Sequence, residues 1–451
     1  MDAGIAARIA TDLRAHDFQA WLVGGCVRDL VLGREPKDYD IATDARPNEL
    51  LKLFPNAQLV GAQFGVVLVD GVEVATFRSD HSYADGRHPD QVTFETDARQ
   101  DVQRRDFTIN ALLLDPLDLT SPVIDYVGGL QDLRDHVIRA IGDAERRFEE
   151  DHLRMLRAVR FAARFGFTIE SGTLAAIQKL HRKIARVSQE RVRDELVRIL
   201  TEGSARRGFE LLDESGLLND VLPEVAAMKD VAQPPEFHPE GDVWIHTLLM
   251  LEGLKSPTAE LALGVLLHDV GKPGTFRIAD RIRFDGHVEL GEKIARDILN
   301  RLRFSNSEID QVIALVGNHM RFKHVHEMRE STLKRMLRLP KFEEHLELHR
   351  LDCESSHGNL DNYQFAKTRL EQLHEEELRP PRLLTGDDLI ESGYRPGPDF
   401  SRMLEAVEDA QLESRVHSKE EALELVRATF GSPVKSLPRG NAKRPIELEG
   451  Q

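Results

Sequence analysis

Cysteine is nearly absent: Cys26 and Cys353 are the only two in 451 residues. Two thiols make no disulfide framework, which points to a reducing compartment, the cytoplasm. No apolar run approaches the roughly 18 residues of a membrane-crossing helix, so no membrane partner is expected. The opening "MDAGIAARIATDLRAHDF" carries an early acid and reads as an amphipathic helix, not a secretion signal. Solenoid-type repeats are missing. Positive charge is in deficit: the net charge of −17 argues against a general nucleic-acid binder. What is there, 41% apolar and 30% charged residues, suits a soluble globular chain long enough for several domains.

The charge is uneven. "RRDF", "RMLRAVRFAARF" and "HRKIARVSQERVRDELVRIL" form a basic belt from Arg104 to Arg198, while "EEHLELHR", "EQLHEEELR" and "ESRVHSKEEALE" carry the acidic excess. Two readings of the belt stand: a local grip on RNA, or solvated helix faces in ion pairs.

Up to about Gly142 the segments "AWLVGG", "AQLVG", "GVVLVDG", "VEVATFR" and "VTFET" are β-rich and separated by turns. "RPNELLKLFP" reads as a helix, as does "FTINALLLDP" up to Pro116. From about Glu149 strand signals nearly vanish, and "EEDHLRMLRAVRFAARFGF" reads as one helix stopped at Gly166. "KDVAQPPEFHPEGDVW" reads as a linker. Helices resume from Trp244, interrupted by a β-like "GTFRIADRIRFDGH", and the last segment reads as a disordered tail. The expected fold is α+β. A mixed β-sheet head (1–142) comes first, then a helical neck (143–228), a third region (229–360), C-terminal helices (361–432) and the tail (433–451).

In "LVGGCVRDLVLGREPKDYDIAT" Gly24 and Gly25 close a strand and open a helix, so backbone N–H groups can approach an anionic ligand. Arg28 lies one turn in. Asp38 and Asp40, two apart, point to one side of an extended strand. Two carboxylates there are costly unless a cation joins them, and hard oxygen ligands suit Mg²⁺. Glu73 and Asp80 are candidates for a third carboxylate.

This stretch resembles the head of the polymerase β-like nucleotidyltransferases, in the branch of bacterial tRNA CCA-adding enzymes and poly(A) polymerases. "RRDFTINALLLDP" (Arg104 to Pro116) resembles the motif facing the ribose, and "GGLQDLRDHVIRAIG" (Gly128 to Gly142) the hinge segment. "EDHLRMLRAVRFAARFGF" (Glu150 to Phe167) resembles the base-reading motif, and "ERVRDELVRIL" (Glu190 to Leu200) the last neck motif. The resemblance implies Mg²⁺ on Asp38 and Asp40, and the triphosphate on Gly24, Gly25 and Arg28. It places Arg105, Asp106 and Asn110 near the ribose, and Asp151 and Arg154 at the base edge with Arg157 beside them. Asp151 and Arg154, three apart on a helix, would share one face, an acceptor beside a donor. The implied partners are tRNA, CTP and ATP.

Within the branch, "GAQFGV" resembles the CCA-adding pattern and disfavours poly(A) addition. "FRSDHSYADGRHPDQVTF" (Phe77 to Phe94) resembles the flexible loop that enzymes adding only the two cytosines lack. Full CCA addition and A addition alone both remain.

A second constellation comprises His246, the adjacent His268 and Asp269, His287, His319 and Asp352. Together with Lys272 in "HDVGK" it resembles the HD metal-dependent phosphohydrolases. The resemblance implies a divalent transition metal or Mg²⁺, and action on phosphate esters of RNA ends. A role in guiding tRNA alone is the fallback, and an HD phosphohydrolase with an RNA-binding N-terminal part is the rival for the whole chain.

Overall fold

A computed structural model describes residues 3–60, 65–81, 91–236 and 238–433. The chain divides into two units, Met1–His319 with Leu351–Gly358, and Met320–Arg350 with Asn359–Gln451. The segment expected to be one region at 229–360 is shared between them.

The first unit opens with α1 (Ala3–Ala15), whose Ala6, Ile9, Ala10 and Leu13 recur at helical spacing on one buried face. Next come β1 (Ala20–Val23), α2 (Gly25–Val31), β2 (Asp40–Thr43), α3 (Pro47–Leu53), β3 (Gln58–Leu59), β4 (Val66–Val69) and β5 (Val72–Thr76). Buried and open positions alternate along β4, as a strand with one covered face requires. A ribbon of β6 (Arg78–His81) and β7 (Gln91–Phe94) stands apart from the main sheet. Then follow α4 (Ala98–Gln103), a 3₁₀ turn (Thr108–Asn110), β8 (Leu112–Leu114), β9 (Ile124–Asp125) and α5 (Gly129–Arg134).

The seven-stranded sheet runs β3-β4-β5-β2-β1-β8-β9. Every pair in it is antiparallel except β2 with β5. The mixed α+β head is therefore as expected. "FTINALLLDP" corrects one expectation, because it does not continue as a helix. Leu113 and Leu114 pair with Val23 and Leu22 of β1. All three leucines of β8 are buried. A short apolar run does not state its own period, and the open flank of β1 decides it.

Beyond the head, β10 (Val137–Ile138) pairs parallel with β11 (Thr168–Ile169). Between them lie α6 (Ala144–Glu150) and α7 (Arg154–Phe165), and after them α8 (Ser171–Leu180), α9 (Gln189–Thr201) and α10 (Ala205–Glu214). Here too a single expected helix is corrected. Asp151 leaves helical geometry (φ −147°, ψ 107°), and its carboxylate accepts the Leu153 N–H at 3.0 Å, which starts a new helix. Gly166 ends α7 in the left-handed conformation, as read from the sequence. Much of the basic belt is ion-paired. Arg160 is buried against Glu195 at 2.6 Å, and Arg164 meets Glu202 at 3.3 Å.

After α11 (Leu217–Val221) and α12 (Pro223–Ala226), the segment expected to be a linker is built into the unit. Gln233 is buried on Lys272 at 2.6 Å, and Asp242 caps α13 (Val243–Gly253) through the Ile245 N–H. Its prolines and polar side chains give it the look of a linker in sequence, whereas Gln233 and Asp242 find partners inside the unit. The unit continues with α14 (Ala259–Leu267), α15 (Lys272–Thr275), a hairpin of β12 (Arg277–Ile278) and β13 (Ile282–Arg283), α16 (His287–Arg301) and α17 (Asn306–Asn318).

The second unit includes α18 (Glu330–Leu337) and most of α19 (Phe342–Glu354). It packs around Phe322, Leu333, Met336 and Phe342, and around Leu389, Met403, Val407 and Val426. Residues 434–451, including nearly all of the expected tail, lie outside the described residues.

Candidate functional site

The strand registers bring the first constellation together. Val23, the last residue of β1, faces Asp40, the first of β2, so the glycine turn and Asp40 share one end of the sheet. Ile41 pairs in parallel with Val74, which sets Glu73 beside Asp40 at that same end. Asp38 lies just before β2 and is exposed, separated from Asp40 by the buried Tyr39. Burial, then Glu73, raise the Asp40 carboxyl to about 6, with Arg105 opposing and Asp38 adding. Asp40 and Glu73 share this sheet end with Asp38 just ahead of it, but the three are not among the groups of described residues whose ligand atoms converge on one point. Carboxylates gathered this way repel one another, and a divalent cation would relieve that repulsion. The side chain of Asp80 lies outside the described residues, as do residues 61–64 of "GAQFGV" and 82–90 of the loop.

A cleft of about 470 Å³ opens here, lined by Gly24, Gly25, Arg28, Asp40, Arg104, Arg105, Asp106, Asn110, Asp151, Arg154, Arg157 and Arg191. Gly24 has φ +74°, and a Cβ on it would lie 3.4 Å from Arg105 Nη1, so backbone and guanidinium meet at the cleft floor. Arg28 is held from below. Its Nε donates to Asp29 at 2.8 Å, its Nη1 donates to Asn110 Oδ1 at 2.6 Å, and its guanidinium lies 4.6 Å from the Phe165 ring centre.

Asp106 ties the head to α7. It accepts Arg157 Nε and Nη2 at 2.8 and 2.6 Å and Asn110 Nδ2 at 3.1 Å. Burial would raise its carboxyl, but Arg157 and Asn110 prevail and hold it at about 2. A depressed carboxyl contributes stability that is present above its unfolded value near 4 and is lost as pH falls toward 2. At pH 7 Asp106→Asn therefore lowers unfolding stability by about 2 kcal/mol. Urea melts at pH 7 and pH 3 test this: the gap between wild type and variant narrows at the lower pH, and an equal gap at both refutes it.

Asp151 and Arg154 both reach the cleft, but from the end of one helix and the start of the next, not from one helix face as expected. They are engaged separately. Asp151 accepts Arg191 Nη1 and Nη2 at 3.2 and 2.7 Å. Arg154 donates to Glu150 at 2.8 Å and to the backbone oxygens of Arg147 and Arg104 at 3.0 and 3.1 Å. Two residues were missed in the sequence. Arg191 stood within the quoted "ERVRDELVRIL". Asp101 precedes Arg104 and Arg105 by three and four residues, the spacing of helical ion pairs, and that was its signal.

The second constellation also converges, within the first unit. Asp269 Oδ2 lies 3.1 Å from His268 Nε2, and its Oδ1 lies 3.8 Å from both His287 Nε2 and His319 Nε2. His246 Nε2 is 3.2 Å from Asp352 Oδ1. His268, His287 and His319 each set Nδ1 against the backbone carbonyl three residues earlier, at 2.7–2.8 Å, while His246 Nδ1 meets Glu240 at 2.7 Å. A carbonyl only accepts, so Nδ1 carries the proton and Nε2 is left with a lone pair. All four Nε2 atoms are buried and turned toward carboxylates, with His246 on Asp352 and His268 on Asp269 at 3.2 and 3.1 Å. Burial opposes a charged His246 ring, but Asp352 and Glu240 overcome it and raise it to about 9, so the free Nε2 lone pair belongs to His268, His287 and His319. Among the described residues three donor groups form that could hold an ion, His246–His268–Asp352, Asp269–His287–His319 and His238–Glu240–His246. Burial, then the neighbouring His268, push His319 down to about 4, which keeps its ring neutral. Lys272 Nζ contacts Asp269 Oδ2 at 2.6 Å.

Residues 20–139 match the Poly A polymerase head domain, 166–229 the RNA and SrmB-binding site of polymerase A, and 286–426 tRNA nucleotidyltransferase domain 2. A CCA-adding enzyme of Lactobacillus helveticus is 40% identical over 256 residues, 55% of this chain and 63% of that protein. One of Enterococcus faecalis is 44% identical over 265 residues, 57% of this chain and 64% of that protein. The chain thus spans less than two thirds of the length of these relatives. The Bacillus stearothermophilus CCA-adding enzyme solved in complex with CTP superposes with a TM-score of 0.71 at 26% identity, over 94% of this chain and 97% of that one. The Thermotoga maritima CCA-adding enzyme complexed with tRNA shares the fold, with a TM-score of 0.59 at 19% identity, over 95% of each chain.

Proposed function

We propose, from this kinship and the cleft, that the chain is a template-independent nucleotidyltransferase that builds or repairs the 3′ CCA end of tRNA from CTP and ATP in the cytoplasm. The carrying observation is the cleft itself. The glycine turn, Asp40 and Arg105 of the head face Asp151 and Arg154 of the neck across a space of about 470 Å³. In this reading residues 1–142 act as head, 143–228 as neck and 229–360 as an HD region.

Asp38, Asp40 and Glu73 would hold Mg²⁺, which neutralises the triphosphate and makes the attacking tRNA 3′ hydroxyl more acidic. The chain's own part is placement. Gly24 and Gly25 offer N–H groups to phosphate oxygens, and Arg105 adds charge beside them. Asp106 and Asn110 sit where a ribose would lie, with Arg28 fixing Asn110 from below. Asp151 accepts from an exocyclic amino group, which cytosine and adenine have and uracil lacks. Arg154 donates to a ring acceptor after leaving the Arg104 carbonyl. The arginine-rich neck grips the acceptor arm through its phosphates and shape.

The resemblance of "GAQFGV" and of the Phe77–Phe94 segment supports full CCA addition over A addition alone or poly(A) addition. tRNAs ending at the discriminator base, at C and at CC, offered CTP, ATP or both, test the reading. All three should be completed to CCA. Extension of the CC-ended tRNA only, with ATP only, would establish A addition, and long A tails would establish a poly(A) polymerase.

The inward Nε2 atoms gathered beside Asp269 and Asp352 support a second activity. The His246–Asp352 centre is a divalent-metal site of HD type whose substrates are phosphate esters at RNA ends. The metal there would supply an activated water.

A further inference from the structure

Asp101 touches nothing that a nucleotide would touch, yet two arginines of the cleft hang from it. It is 1% exposed, on α4. Its Oδ1 accepts Arg104 Nε and Nη2 at 2.9 and 2.6 Å, and its Oδ2 accepts Arg105 Nε and Nη2 at 3.2 and 2.8 Å. One buried carboxylate thus receives four charge-assisted hydrogen bonds. Because Asp101 takes the Nε–Nη2 edge of Arg105, the remaining nitrogen, Nη1, is turned toward Gly24. Arg105 is also a cation that Asp40 feels, lowering its carboxyl against burial and Glu73. On the same turn, the carbonyl of Arg104 receives Arg154 Nη2 at 3.1 Å, so the turn that Asp101 fixes also meets the neck.

We infer that Asp101 is a positioning residue for nucleotide binding. It aims Arg105 Nη1 at the glycine floor, where an anionic phosphate oxygen of the incoming nucleoside triphosphate binds. A guanidinium on an exposed stem spreads over many rotamers, and ordering it costs side-chain entropy at the moment of binding. The buried carboxylate meets that cost during folding. Burial works against the Asp101 anion, but the two arginines overcome it, so the fork stays charged at neutral pH. Asparagine at this position offers one acceptor oxygen and turns N–H donors toward one of the two guanidiniums, so the aim of Arg105 is lost while the shape of the side chain is kept.

The inference rests on the nucleotidyl-transfer reading. Calorimetric ATP binding to the full chain with Mg²⁺ tests it, comparing wild type, Asp101→Asn, Arg105→Gln and the double variant. KM and kcat for A addition to a CC-ended tRNA are measured on the same set. Asp101→Asn should weaken ATP binding and raise the KM for ATP roughly 10-fold, with kcat nearly unchanged. In the Arg105→Gln background it should weaken ATP binding no further, because the group it aims is gone. An equal loss in both backgrounds marks a structural role and overturns the inference, as does wild-type ATP affinity in Asp101→Asn. Should Asp101→Asn not fold, Asp101→Glu keeps the anion at a shifted reach. It is expected to lose affinity only where Arg105 is present, and any other pattern is equally fatal. A wild-type chain that binds neither ATP nor CTP sinks the nucleotidyl-transfer reading itself, whereas ATP binding with additive losses sinks only the role of Asp101.

Discussion

Asp40→Ala lowers nucleotide addition to tRNA by on the order of 10³-fold while leaving the chain folded. The residue stands where the end of β1, the start of β2 and the start of β5 meet, and it lines the cleft, which its neighbour at the same height, Glu73, does not. Asp38 is exposed and ahead of the strand, and its loss should cost less. The fold gains from the Asp40 change. Its carboxyl is raised to about 6 by burial and by Glu73, so the ionised group opposes folding. That opposition is absent below its unfolded value near 4, grows as pH rises toward 6, and is complete above it. At pH 7 the alanine variant should therefore be more stable by about 1 kcal/mol, after discounting for solvent screening, and the gain should vanish at pH 4. Single-turnover addition and melting curves at the two pH values check both halves. Activity within 10-fold of wild type would refute the role of Asp40. A fall in stability at pH 7 would refute its electrostatic account.

Asp269→Ala empties the second centre. Asp269 belongs to one donor set and touches a histidine of another: one oxygen faces His268, the other faces His287 and His319. Losing an outer-shell partner of a metal ligand weakens affinity by roughly 10–100-fold, and losing a ligand itself should exceed the upper figure. Removal also takes the counter-charge from the buried Lys272 Nζ, which contacts Asp269 at 2.6 Å and would keep only Gln233, so the variant should melt lower as well. Metal content after dialysis and hydrolysis of phosphate-ended RNA should both collapse. CCA addition should survive, because its residues come from the head and neck. Retention of metal at the wild-type ratio would refute the centre. Loss of CCA addition in a folded variant would show that this centre serves transfer rather than hydrolysis.

Much of this was legible in the sequence because its signals are local. An apolar run closed by two glycines says strand and turn without help from the rest of the chain, whereas Asp38, expected to share an extended strand with Asp40, lies just ahead of β2. What was not legible depended on distant partners. The leucines of β8 are a strand only because β1 offers an open flank. Asp151 leaves helical geometry, and its carboxylate takes the Leu153 N–H in the turn that leads into the next helix. Glu240 and Gln233 sit in a stretch that looks like a polar linker until His246 and Lys272, brought in by later helices, pair with them. Arg191 comes to Asp151 across 40 positions of chain, a pairing no local pattern announces.

On the proposed transfer reading, the helix break at Asp151 carries a consequence for how one cleft would meet two bases. A residue inside a helix is clamped by the hydrogen bonds of the turns on both sides and can adjust only its rotamer. Asp151, in extended geometry between two helices, is free of that clamp, and Arg191 and the Leu153 amide fix where its carboxylate points. If Asp151 reads the base as proposed, cytosine and adenine would be met by a carboxylate whose orientation is set by two hydrogen-bond partners and not by a helix.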